Sequence, residues 1–361
     1  MSPSFRRSFS RSIVPAAGFI AAALALAACS SSGGSSSSSS SASSAATSSS
    51  SSSSSASGKT YNVAYLSYAV ANDYDKGMLA NAEAVAAKNN IKITVFDAAN
   101  SSNTQYSQMQ TAISSGKYQG IITQPIVGTA LVPLVQQAIA AGIKVVNMDQ
   151  ILGSNLRTAA PQVQGLSGNA VFVPYTTAVT SGKLAAQACE SMKANPCNVG
   201  FLYDVKASQL DIAEYAGFIV GLKADPNAKI TNTGQTNFTQ AQALTATQDM
   251  LTANPNLNVI WGSDQGAEGA ASAVAQAGKQ GKVLIIGAGG GSIAIADVKS
   301  GVLYGELFNA PATEGTVAMQ MMAKALTTGQ SSGGVDVAAT FPDAGAITKA
   351  NVDQFKAQYT G

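Results

Sequence analysis

The sequence predicts an α/β protein made of two Rossmann-like, doubly wound domains, each a parallel sheet with helices on both faces. Three observations predict it. From Thr60 to Tyr359 the chain runs for 300 residues of mixed apolar and polar sequence, enough for two domains and a sizeable core. Short β-rich apolar runs alternate with segments of helical spacing over that whole length. No repeat of short period interrupts the alternation, so it is read as strand–helix–strand units rather than a solenoid.

Taken in order, the expected strands include Tyr61–Ser67, Ile91–Asp97, Gly120–Thr123, Ile143–Asn147, Asn198–Tyr203, Val259–Gly262 and Val283–Gly287. Each is a short run rich in β-branched and aromatic residues. Between them Asp75–Asn89, Ala130–Ala141, Gln240–Ala253 and Gly266–Ala277 carry apolar residues at helical spacing. Gly142 stands just past one of these helices, where a left-handed cap is needed. Right-handed crossovers between parallel strands then place ligand sites at the carboxyl ends of the strands.

The first 58 residues follow another logic. Arg6, Arg7 and Arg11 precede an apolar run from Ile13 to Leu26, which ends in Leu26-Ala27-Ala28-Cys29. Basic, apolar and small-residue regions in that order describe a secretory signal, and the run is short for a membrane span. The closing tetrapeptide resembles the lipobox of bacterial lipoproteins. That resemblance implies a signal peptide over residues 1–28, cleavage before Cys29, and a lipid on its thiol that tethers the protein outside the cell membrane. A plain signal with an incidental cysteine is the alternative. Ser30 to Gly58 is almost entirely serine with alanine and glycine. It has nothing to bury against the entropy of ordering, so residues 29–59 are expected to form a lipidated cysteine and a disordered linker. Its reach would be about 30 Å as a random coil.

Composition excludes whole classes of function. The sequence carries 21 basic and 19 acidic residues and no histidine. Losing the three signal arginines leaves 18 basic residues, a net charge of −1, with Arg157 as the last arginine. No basic patch is available for nucleic acid. Without histidine the commonest general base and metal ligand are missing, and a Ser-His-Asp triad is impossible. Gly287-Ala288-Gly289-Gly290-Gly291-Ser292 falls short of a dinucleotide fingerprint. Acid pairs of the glycosidase kind are not recommended by any spacing. No enzymatic activity, metal or cofactor is therefore expected. Cys189 and Cys197 are the remaining cysteines. In an exported chain a close pair points to a disulfide; metal binding by two thiolates alone is the weaker rival.

One stretch carries a family resemblance. Gly120-Ile121-Ile122-Thr123-Gln124-Pro125 leads through a helical middle to Ala140-Ala141-Gly142-Ile143, and the following strand ends in Asn147-Met148-Asp149-Gln150. This resembles the sugar-binding (ribose/galactose-type, type I) periplasmic binding proteins. Thr348-Lys349-Ala350-Asn351-Val352-Asp353-Gln354-Phe355 is similar to the closing helix of many members. The resemblance implies two lobes joined by three crossings, near Leu166–Asn169, just after Asn309 and near Ala338–Phe341. The first lobe would be residues 60–166 and 310–337, the second 167–309 and 338–361. It also implies a sugar or polyol ligand trapped by hinge closure, delivery to the permease of an ABC importer, and a monomer. An extracytoplasmic sensor of the same fold, presenting a small and even amine-bearing molecule to a receptor, is the other reading. A repressor of related fold is excluded, because a signal and linker stand where its DNA-binding helices would be.

The same resemblance nominates ligand-binding residues. Ser67, Asn72 and Tyr74 match the loop after the first strand, and Asp149 matches an acid at a strand end that accepts hydroxyl hydrogen bonds. Gln150 and Glu214 stand where ribose-type members carry arginines. Phe238 matches a ring-stacking aromatic, Asp264 a polar residue after a later strand, and Asn309 an amide near the second crossing. Gly289 occupies the place of a further acid. Asp149 and Asp264 could instead be helix caps, Glu214 a solvated helix residue, and Tyr74 and Phe238 core aromatics. Losing both arginines disfavours ribose held in the usual way, and a site with Asp149 and Glu214 would also suit an amine.

Overall fold

The computed structural model describes residues 59–361 except Ala207, so the signal peptide, Cys29 and the serine linker lie outside the described residues. The first six-stranded sheet takes β1 (Tyr61–Ser67), β2 (Ile91–Asp97), β3 (Gly120–Thr123), β4 (Lys144–Asp149), β5 (Gly168–Val171) and β11 (Gly334–Asp336). Its order is β2-β1-β3-β4-β5-β11, with every pairing parallel. The second takes β6 (Cys197–Tyr203), β7 (Ala228–Gln235), β8 (Leu257–Trp261), β9 (Leu284–Gly289), β10 (Gly305–Phe308) and β12 (Ala346–Thr348). Its order is β7-β6-β8-β9-β10-β12, and only β12 runs antiparallel. The first five strands of each lobe repeat one topology, so β4 and β9 occupy equivalent places.

Burial follows from that order. β3, β4 and β5 are buried over nearly their whole length, whereas edge strand β7 alternates half-buried and exposed residues. The covering helices are α1 (Asp73–Lys88), α2 (Ser102–Ser114), α3 (Gly128–Ala140) and α9 (Pro311–Thr328) in the first lobe. The second has α4 (Pro174–Met192), α5 (Gln209–Leu222), α6 (Gln240–Ala253), α7 (Asp264–Gln276) and α8 (Ser292–Ser300). Their starts are chemically marked: side chains of Asn72, Ser101, Ser208, Thr239 and Ser263 accept backbone N–H groups of the first turns. Close approach of α4 and α5 depends on missing side chains. A Cβ on Gly182, Gly217 or Gly221 would stand 2.0–2.2 Å from a carbonyl oxygen of the facing helix. Cys189 and Cys197 form a disulfide, Cα atoms 5.8 Å apart, that ties the end of α4 to the start of β6.

Two expectations are corrected. β5 pairs with β4 and β11, so the chain stays in the first lobe through Val171 and crosses after it rather than at Leu166–Asn169. Asn169 helps to hold it there, donating to the Ala159 carbonyl at 2.6 Å and accepting from Asn147 at 2.7 Å. The closing helix over Thr348–Phe355 is absent. The Asn351 side chain accepts the Thr348 N–H at 2.8 Å and donates to the Ala346 carbonyl at 2.9 Å. That local pairing competes with helix formation and leaves one 3-10 turn at Val352–Gln354. The chain passes from β10 in the second sheet to α9, which packs on α1 and the first sheet, and then from β11 to β12. Where these crossings meet, the Phe308 ring packs against Phe341 and Phe355, with centroids 4.9 and 5.3 Å away.

Candidate functional site

In both sheets the strand order reverses around the first strand, β1 or β6, and open sheets of this kind bind ligands beyond the strand ends there. In the first lobe those ends form one network with Gln124 at its centre. Its Nε2 donates to Asp75 Oδ1 at 2.5 Å and to Asp149 Oδ2 at 2.9 Å, while its Oε1 accepts the Tyr68 N–H at 2.9 Å. Ser67, fully buried at the end of β1, lies 3.5 Å from the same Oε1. Gln150 Nε2 donates to Asp149 Oδ2 at 3.1 Å, and the Tyr74 hydroxyl donates to Asp149 Oδ1 at 3.2 Å.

Asp149 is therefore no helix cap. It ends β4 with a left-handed φ of 63°, a strained conformation for a residue with a side chain. Its carboxyl is raised by burial, and the donors from Gln124, Gln150 and Tyr74 pull it back down. Behind it lies Glu314 of α9, completely buried, with no hydrogen-bond partner on either carboxyl oxygen among the described residues. Burial first, and the neighbouring Asp149 second, hold Glu314 well above the carboxylate range. Asp75 is raised to about 7 by burial and by Asp149, against the opposing donors Gln124 and Asn72.

The second lobe answers with its own acids. Asp264, buried in the first turn of α7 beside the true cap Ser263, accepts the N–H groups of Gly290 at 3.2 Å and Gly291 at 3.0 Å. It also accepts the hydroxyl of Tyr359. Glu306 of β10 accepts the Gly290 N–H at 3.2 Å and is held well above its ordinary value by burial and by Asp264. Asp204, one residue beyond β6, accepts from Thr236 and, at 3.0 Å, from the Ser263 hydroxyl; burial raises it to about 7.

The lobes meet across these groups. The Tyr359 ring packs edge-on against Tyr74, with centroids 5.3 Å apart and planes at 78°. Tyr68 is raised by burial, then by Asp149 and Asp75 of its own lobe and by Asp211 and Asp204 of the other. Carboxyls, amides and phenols thus gather where the lobes meet. Arg157, the one arginine among the described residues, lies over the Tyr175 ring instead.

Of the nine residues nominated from the sequence, the structure gathers Ser67, Tyr74, Asp149 and Gln150 into one network and sets Asp264 opposite, linked through Tyr359. Asn72 is exposed and committed to α1: its Oδ1 accepts the Asp75 N–H at 2.8 Å and its Nδ2 donates to Asp75 Oδ2 at 2.6 Å. Glu214, half-buried on α5, is raised by burial and then by Asp211 and Asp204. Phe238 stands 42% exposed in the turn after β7, its backbone beside Asp204. Asn309 is half-buried, with its N–H bonded to the Gly289 carbonyl at 2.8 Å. Gln124, Asp204, Glu314, Glu306 and Tyr359 were not nominated. Gln124 and Asp204 each directly follow an expected strand, and that position was the available signal.

A model of the periplasmic binding protein domain matches residues 63–331. The chain is 27% identical to the D-allose-binding periplasmic protein of Escherichia coli over 62% of this chain and 70% of that one. It is 24% identical to the ribose import binding protein of Bacillus subtilis over 66% and 72%. Among solved structures, a periplasmic solute-binding protein of an ABC transporter from Actinobacillus succinogenes, with bound D-allose, superposes with a TM-score of 0.70 at 26% identity. That match covers 82% of this chain and all of that one. With two lobes of one topology and carboxyls gathered where they meet, the chain belongs to the periplasmic binding protein family and is a solute-binding protein, not an enzyme.

Proposed function

We propose that the protein is the extracytoplasmic capture component of an ABC importer for a neutral sugar or polyol, tethered to the outer face of the membrane through a lipid on Cys29. The observation that carries this reading is Asp149: a buried strand-end carboxyl held in a strained backbone conformation by three side-chain donors, facing a second lobe that presents Asp264 and Asp204. Carboxyl oxygens and amides accept and donate to hydroxyls from fixed directions. The scarcity of basic groups at the cleft disfavours anionic solutes. The bound D-allose of the Actinobacillus relative and the bound myo-inositol of a Caulobacter relative support the class. Ligand would settle on one lobe, and closure about the crossings would replace its water with side chains from both lobes. Micromolar binding requires about 8 kcal/mol net.

A thermal-shift screen of the purified protein against aldoses, polyols, amino sugars and simple amines tests the reading, because a ligand of the native state raises the melting temperature. A shift with a neutral polyhydroxyl compound is expected, abolished in Asp149→Ala and weakened in Phe238→Ala. Shifts confined to amines would replace the reading with that of a cation-binding protein. The anchor is tested separately: Cys29→Ala is expected to release the protein from membranes, and its retention there would remove the lipid assignment.

A further inference from the structure

The equivalence of β4 and β9 exposes a gap. β4 ends in Asp149, whereas β9 ends in Gly289, so the second lobe offers no side chain at the matching point. The space is not empty. A Cβ built on Gly289 would lie 2.4 Å from both the Tyr359 hydroxyl and the Asp264 carboxyl carbon. Tyr359 thus puts its polar group where a strand-end side chain would stand.

The segment that delivers it is anchored on both lobes. Gln358 Oε1 accepts the Thr313 N–H at 2.9 Å, and its Nε2 donates to the Thr313 hydroxyl at 2.7 Å, at the start of α9 in the first lobe. In the second lobe the Tyr359 carbonyl accepts the Ser292 N–H at 3.1 Å, and the Thr360 carbonyl accepts the Ile293 N–H at 3.2 Å. These are the free donors of the first turn of α8. Between the two anchors the Tyr359 ring lies against Tyr74 and its hydroxyl donates to Asp264.

We propose that Gln358–Thr360 is a fourth, noncovalent crossing between the lobes, and that Tyr359 is a ligand-contacting, specificity-determining residue supplying the polar contact at the end of β9. The single phenol proton is given to Asp264, so the hydroxyl oxygen is left to accept from a ligand. The second lobe would therefore suit a ligand group that donates at this point, such as a hydroxyl of a neutral polyol. This proposal rests on the polyol reading of the cleft.

Two measurements on the purified protein test it. The first needs no ligand: hydrogen exchange of the peptide containing Ser292 and Ile293. Protection in the parent and at least tenfold faster exchange in Tyr359→Ala are expected; unprotected amides in the parent would overturn the crossing. The second is titration with D-allose, D-ribose, myo-inositol, glycerol and D-glucosamine. Tyr359→Phe, which keeps the ring, is expected to weaken the tightest of these about tenfold, the loss of one hydrogen bond, and to change the ranking within the panel. Parent binding with unchanged affinity and ranking in Tyr359→Phe would overturn this assignment alone. Failure of every compound to bind the parent would overturn the polyol reading and this assignment with it.

Discussion

The chemistry of the cleft is set by how few groups balance its acids. Gln124 serves Asp75 and Asp149 at once through a single nitrogen. Gln124→Leu keeps the volume but strips both carboxyls of a buried donor. Loss of about 1–3 kcal/mol in stability is expected by denaturant titration, together with weakened ligand binding. Gly289→Ala should weaken binding even where the fold survives, because the added methyl meets the Tyr359 hydroxyl and Asp264. Titration of the folded variant checks this. At this scale the sequence was half legible. Asp149 and Gln150 were visible through the family resemblance, which implies an acid at that strand end and a polar residue after it. Tyr359 was invisible, since it lies 95 positions from Asp264, its hydrogen-bond partner. Glu314 was hidden inside an ordinary helical pattern, and Asn72 looked like a ligand contact while being a cap.

Among the elements, α4 is held close to α5 by glycines and tied to β6 by a disulfide. Gly221→Ala places a methyl 2.0 Å from the Val179 carbonyl oxygen, so the helices must separate. Overpacking of this kind costs about 1–3 kcal/mol, readable as a lowered denaturation midpoint. The disulfide spans a sequence separation of 8. Reduction, or Cys189→Ser with Cys197→Ser, is expected to remove about 2–3 kcal/mol while leaving affinity nearly unchanged, because the bridge ties α4 to β6 away from the strand ends. Strands with β-branched runs were legible almost to the residue: β1, β2 and β3 begin and end where the pattern does. Strands β5, β10, β11 and β12 are three or four residues long and carry no such run, so pairing with neighbours defines them. The misplaced first crossing follows from missing β5.

For the whole molecule the acids impose a pH dependence. Burial raises Asp75 and Asp204 to about 7 in the folded protein, whereas in the unfolded chain such groups titrate near 4. Between these values the folded state holds more protons on these two groups than the unfolded one, so their contribution to ligand-free stability falls as pH rises from about 4 to about 7. Melting curves across that range should show the decline, and Asp75→Asn with Asp204→Asn should lessen it. The duplicated topology was legible from strand–helix alternation, but the balance of acids in the cleft was not, because it depends on distances between lobes. The central claim is that these strand-end acids hold a neutral polyhydroxyl solute between the lobes, and calorimetric titration of the purified protein and of Asp149→Asn tests it most directly. The account predicts that one neutral aldose or polyol binds the parent at one site with micromolar affinity and that its heat signal is lost in Asp149→Asn. Equal affinity in the variant, or saturation by an anionic solute in its place, would contradict it.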